Sequence, residues 1–166
     1  MRIKRYFLVL VTLIACTLQS FAQEGTTGIQ FFQGTFNDAL VKAKQENKVL
    51  FVDFYAVWCV PCKKMAKTVF TQEEVGKFFN EHFVSIQLDA EKGDNVNIAK
   101  NYKVVAYPTV AFISPDGKAI SVNTGAMNKD ELLDAAKIAA GQSMSFEALY
   151  EKYKADNNDL DVQQQL

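Results

Sequence analysis

Cys59 and Cys62, with two residues between them, carry the clearest chemistry in this chain. They lie in Trp58-Cys59-Val60-Pro61-Cys62, directly after the apolar run KVLFVDFY (48–55) and before KKMAKTVF, which looks helical. A strand handing over to a helix here puts the Cys59 sulfur at the helix N-terminus, facing unpaired backbone N–H groups and the positive end of the dipole. That setting favours the thiolate. A free cysteine with a pKa of about 8.5 is only about 3% ionised at pH 7, and lowering it to about 7 makes it half ionised for about 2 kcal/mol. The second sulfur lies one helical turn away, close enough to attack a mixed disulfide formed by Cys59 and expel the partner's thiol. Cys59 is then the attacking thiol and Cys62 the resolving one.

Spacing alone leaves other readings of the pair open: a structural disulfide, a metal site or a coincidence. A loop this short constrains the unfolded chain little, which weakens stapling. Zinc usually takes four ligands. The third cysteine, Cys16, belongs to a leader, and the single histidine, His82, sits in a separate segment where it reads as a helix-end residue. Neither a metal nor an organic cofactor is expected. Six residues before Cys59, Asp53 interrupts the apolar run. Burying an ionised carboxylate there is costly, so its pKa should be raised.

The chain has 166 residues, 49% of them hydrophobic, with 18 Lys and Arg against 19 Asp and Glu. This suits one compact domain, and it excludes a disordered chain and a disulfide-rich scaffold. A formal net charge of −1 provides no basic field, so nucleic acid is not an expected partner. Residues 1–22 stand apart: Arg2, Lys4 and Arg5 precede the apolar run 6–18, and Ser20-Phe21-Ala22 puts small residues where a signal peptidase reads. The apolar stretch is shorter than the ~20 residues of a membrane span. A signal peptide over 1–22, a domain over 23–140 and a C-terminal extension over 141–166 are expected, in an exported protein. Leu13-Ile14-Ala15-Cys16 resembles a bacterial lipobox and offers a rival ending for the leader, a lipid anchor through Cys16.

The elements that must position the pair follow from periodicity and turn chemistry. Residues 29–32 read as a first strand, and Thr35-x-x-Asp38 opens a helix with Phe36, Ala39, Leu40 and Ala43 on one face. The run 48–55 reads as a central strand buried on both faces. Thr71-Gln72-Glu73-Glu74 has capping-box spacing, with Phe70 and Val75 placed as a hydrophobic staple, so a helix start is expected at Thr71. Strands are expected at 83–88, 109–113 and 118–122, the last two joined by a Pro115-Asp116-Gly117 hairpin, and helices at 94–102 and 128–140. A βαβ half followed by a ββα half makes an α/β fold, a mixed sheet with helices on both faces. Phe146, Leu149, Tyr150 and Tyr153 have helical spacing in the extension, before a polar tail.

With these residues in place, VDFYAVWCVPCK resembles the thioredoxin superfamily, over roughly residues 31–140. Asp53 before the motif and Tyr107-Pro108-Thr109 before the third strand belong to the same resemblance. It implies a thioredoxin fold, a cis-proline at Pro108, and a protein-binding groove bordered by Trp58, Val60, Pro61, Tyr107, Pro108 and Thr109. It also implies that Asp53 relays a proton to or from Cys62. Thioredoxins proper carry Gly-Pro between the cysteines and a lysine near the buried acid, where this chain has Val60-Pro61 and Ser85. The segment KKMAKTVFTQEEVGKFF and the leader look closer to periplasmic thioredoxin-like proteins and to the C-terminal domain of Dsb-type thiol:disulfide interchange reductases. The expectation is a monomeric reductant of protein disulfides outside the cytoplasm, recharged by a membrane electron donor. A disulfide oxidase or isomerase, or a non-catalytic binding module, would share these motifs.

Overall fold

The computed structural model describes residues 27–141. The leader, Cys16 and the stripe from Phe146 to Tyr153 lie outside the described residues. In chain order the elements are α1 (Phe36–Glu46), β1 (Val49–Tyr55), α2 (Val60–Thr68), α3 (Glu73–His82), β2 (Phe83–Asp89), α4 (Asn95–Asn101), β3 (Thr109–Ile113), β4 (Ala119–Thr124) and α5 (Lys129–Ala139). The strands form one sheet in the order β2-β1-β3-β4. β1 pairs parallel with β2 and antiparallel with β3, which pairs antiparallel with β4. The mixed α/β architecture expected from the sequence is the one observed.

Strand alternation sorts the core into two layers. Leu50, Val52 and Phe54 of β1, with Val84, Ile86 and Leu88 of β2, pack against Phe36, Ala39 and Ala43 of α1 and Ala99 of α4. On the other face Phe51, Phe83, Val110 and Phe112 meet Met65 of α2, Val75 and Phe79 of α3, and Leu132, Leu133 and Ala136 of α5. Burial of β1 on both faces is why it lacks the polar alternation of a surface strand. Asp53 shares the parity of Phe51 and so belongs to the α2 side.

Local signals set several boundaries. Thr35 and Asp38 form the expected capping box of α1, and Asn128 and Glu131 form another at α5. The hairpin closes through Ser114 N–H to Lys118 O at 2.8 Å, and β4 then runs from Ala119 to Thr124, later at both ends than the sequence suggested. Two expectations fail. Residues 29–32 form no strand: Phe31 makes a single parallel bridge to Ser85, with Phe32 N–H donating to Ser85 O at 2.7 Å. Thr71 does not cap α3, because its hydroxyl donates back to Lys67 O at 2.7 Å, and the helix starts two residues later behind Gln72, which makes no side-chain cap bond. Phe70 and Val75, the expected staple pair, are nonetheless both buried in the same core layer.

Candidate active site

β1 ends at Tyr55, and a short turn, closed by Cys59 N–H to Ala56 O at 3.0 Å, delivers Cys59 to the start of α2. Cys59 is the N-cap residue, extended at φ −70° and ψ 104°, and its carbonyl accepts from Lys63 N–H at 3.2 Å. Its sulfur accepts the Cys62 N–H at 3.1 Å, one of the donors that a helix start leaves without an intrahelical partner. Pro61 in the first turn has no N–H and so leaves no donor unsatisfied. Cys59 and Cys62 are joined as a disulfide with their Cα atoms 5.3 Å apart. Both are buried, at 2% and 5% exposure, whereas Trp58 and Val60 beside them stand 64% and 73% exposed. The pair therefore sits just beneath an apolar rim.

Trp58 is held at that rim from two sides. Its Nε1 donates to Glu91 Oε2 at 2.8 Å, and its ring meets Tyr107 edge-on with centroids 6.1 Å apart. The Tyr107–Pro108 peptide bond is cis. Tyr107 packs against the small cluster of Ala56, Cys59 and Cys62, which joins the proline loop to the redox pair. Pro108 is buried, and its carbonyl accepts from Gly125 N–H at 2.8 Å. Thr109 is fully buried; its hydroxyl donates to Ala106 O at 2.8 Å and lies 3.2 Å from the Thr124 hydroxyl. Its side chain anchors the loop from below rather than lining the rim.

Behind the disulfide, Asp53, Cys62, Lys63, Ala66 and Gln87 line one cavity of about 380 Å³. Asp53 is 2% exposed, and burial pushes its carboxyl up to about 6, against a smaller opposing influence from a hydrogen bond. That bond comes from Gln87 Nε2, which donates to Asp53 Oδ2 at 2.9 Å. Asp53 Oδ1 is buried and has no hydrogen-bond partner among the described residues. Such a group changes charge near neutral pH, where a proton acceptor is useful.

Gln87 is the site residue that the sequence reading missed. β1 and β2 are parallel with Asp53 opposite Gln87, so both side chains emerge on the same face. The available signal was a lone polar amide in FVSIQLD, but its meaning depends on the strand register. Ser85, the position aligned with the thioredoxin lysine, lies opposite Phe51 instead, buried with its hydroxyl unpartnered among the described residues. His82 ends α3 with its ring 4.6 Å from that of Phe78, at the start of β2 and thus at the opposite end of the sheet from the cysteines. Among the described residues no three His, Cys, Asp or Glu side chains cluster closely enough to hold a metal ion.

This arrangement supports dithiol–disulfide exchange. The sequence model of the thioredoxin-like domain family matches residues 36–140. The thiol:disulfide interchange protein DsbD of Pseudomonas fluorescens is 34% identical over 80 residues, covering 48% of this chain and 14% of that protein. The chain thus spans only about a seventh of the length of such relatives. A solution structure from Bacteroides thetaiotaomicron, provisionally assigned as a disulphide-isomerase, is 40% identical with a TM-score of 0.63, covering 72% of this chain and 98% of that one. The reduced C-terminal domain of Neisseria meningitidis DsbD is 28% identical with a TM-score of 0.53, covering 62% of this chain and 92% of that one. The extent of the family match, the sheet order and the disulfide at the head of α2 lead to one conclusion: the chain belongs to the thioredoxin-like family, as a disulfide oxidoreductase built around Cys59 and Cys62.

Proposed function

We propose that this protein is an exported reductant of protein disulfides. The observation that carries the reading is the Cys59 sulfur accepting the Cys62 N–H at the head of α2, a contact that stabilises negative charge on Cys59 once the pair is reduced. The Cys59 thiolate attacks one sulfur of a substrate disulfide; that S–S bond breaks, and the leaving sulfur departs as a thiolate that takes a proton from water. Cys62 then gives its proton to Asp53, and the new thiolate attacks Cys59. The mixed disulfide breaks and the second substrate thiolate leaves, taking up the proton that Asp53 held. Two electrons pass to the substrate, and the Cys59–Cys62 disulfide is the product state.

Trp58, Val60, Pro61, Tyr107 and Pro108 border the substrate groove in this reading, and Thr109 anchors its floor. The exposed apolar rim of Val57, Trp58 and Val60 supports a protein substrate rather than a small polar one. The leader over 1–22 supports delivery to the periplasm ahead of a domain over 23–140; the likeness to DsbD supports thiol:disulfide interchange, and the resemblance of the motif region to Dsb-type interchange reductases supports the reducing direction. Among the described residues no helix is long and apolar enough to cross a membrane. A monomeric reductant in an oxidising compartment must be recharged, so the reading requires a membrane electron donor.

The Bacteroides neighbour favours a second reading, an isomerase using the same exchange. Trapping tests the roles. Cys62→Ser should accumulate mixed disulfides through Cys59, and Cys59→Ser should not; the reverse pattern overturns the assignment. Equilibration with glutathione tests direction: a potential near −120 mV, that of a strong oxidant, overturns the reductant reading.

A further inference from the structure

Asp53 has two oxygens in unlike surroundings. Gln87 binds Oδ2, while Oδ1 is buried without a hydrogen-bond partner among the described residues. Asp53, Gln87 and Cys62 line the same cavity, Asp53 from β1, Gln87 from β2 and Cys62 from α2. The parallel register fixes the Gln87 backbone opposite Asp53, yet Gln87 itself is exposed, so core packing does not dictate its amide. A neutral amide can hold the carboxylate in one rotamer and favour its charged form without supplying a full positive charge.

We propose that Gln87 is a positioning residue for the second exchange step: by holding Asp53 Oδ2 it leaves Oδ1 to take the Cys62 proton and sets the pH range in which that transfer works. The inference rests on the proposed role of Asp53 as the proton acceptor. Other ionisable groups around the cavity are Tyr55 on β1 and Lys63 on α2, with Asp89 on β2 close enough to act on Tyr55. Losing the Gln87 donor removes the one influence that lowers the Asp53 pKa, so the acid should stay protonated to higher pH.

The test uses the reduced protein and an aromatic disulfide, dithionitrobenzoate. Attack by Cys59 releases one thionitrobenzoate, and attack by Cys62 on the resulting mixed disulfide releases a second. The rate of the second release is followed from pH 5 to pH 8. Gln87→Met, similar in size but without the donor, should move the inflection up by about one pH unit, which slows the second phase about fivefold at pH 6. Gln87→Lys restores a donor and should leave the inflection at or below that of the unmodified protein. An unmoved inflection in Gln87→Met, or one raised equally in Gln87→Lys, overturns the proposal. Asp53→Asn separates the two levels: it should abolish the inflection, and if the inflection persists the proton role of Asp53 fails, and the role of Gln87 with it.

Discussion

Replacing Asp53 by asparagine should stabilise the oxidised protein strongly at alkaline pH and hardly at all in acid. The carboxyl goes from an ordinary value of 3.8 to about 6 on folding, so the folded state binds its proton more tightly than the unfolded chain does. That preference is fully present below 3.8, where both states are protonated, and is lost as pH rises through 6, where the folded state is forced to ionise. A difference of about two pH units, at about 1.4 kcal/mol each, makes the ionised group about 3 kcal/mol destabilising above pH 7. Roughly half of that penalty is present at pH 5. Asparagine keeps a carbonyl that can accept from Gln87 and removes only the charge, so the comparison isolates burial of the carboxylate. Urea unfolding of both proteins with the disulfide intact, at pH 8, 5 and 3, measures the difference. A gain of the same size at all three pH values, or a loss at pH 8, would show that the buried carboxylate is not the source of the penalty.

Two further substitutions test how the core supports the site. Phe51 of β1 lies between the rings of Phe79, Phe112 and Phe70, with centroids at 4.7, 5.3 and 6.1 Å, on the same face as Asp53. Phe51→Ala should cost about 3–5 kcal/mol in urea unfolding, and a cost under about 1 kcal/mol would mean this layer can collapse around the gap. Gly76 lies inside α3, where alanine normally gains up to about 1 kcal/mol. Here an added Cβ would sit 2.6 Å from the Cα of Gly28, itself at φ +94° against the backbone of Phe70 and Thr71. Gly76→Ala should therefore lower the melting temperature, and an increase would show that the 28–31 segment moves aside freely.

Much of this protein was legible one segment at a time. The unbroken apolar run of β1, the Thr35 capping box, the Pro115-Asp116-Gly117 hairpin and the strand-to-helix handover at Cys59 each depend on neighbouring residues, so their physics is written in short windows. Where two local hydrogen bonds compete, the sequence is ambiguous: the Thr71 hydroxyl could cap α3 or bond back to Lys67 O, and only the folded backbone shows that it does the latter. Residues 29–32 have strand-like composition, but pairing needs a partner edge in register, and this segment makes a single bridge to β2, between Phe31 and Ser85. Likewise Asp53 was visible as a costly buried acid, while its partner was not, because 34 residues separate it from Gln87. Short stretches of sequence were enough to specify a CxxC pair at a helix start, next to a buried carboxyl. Tertiary structure alone decided which side chain steadies that carboxyl, because strand register is settled by the whole sheet and fixes which side chains share a face.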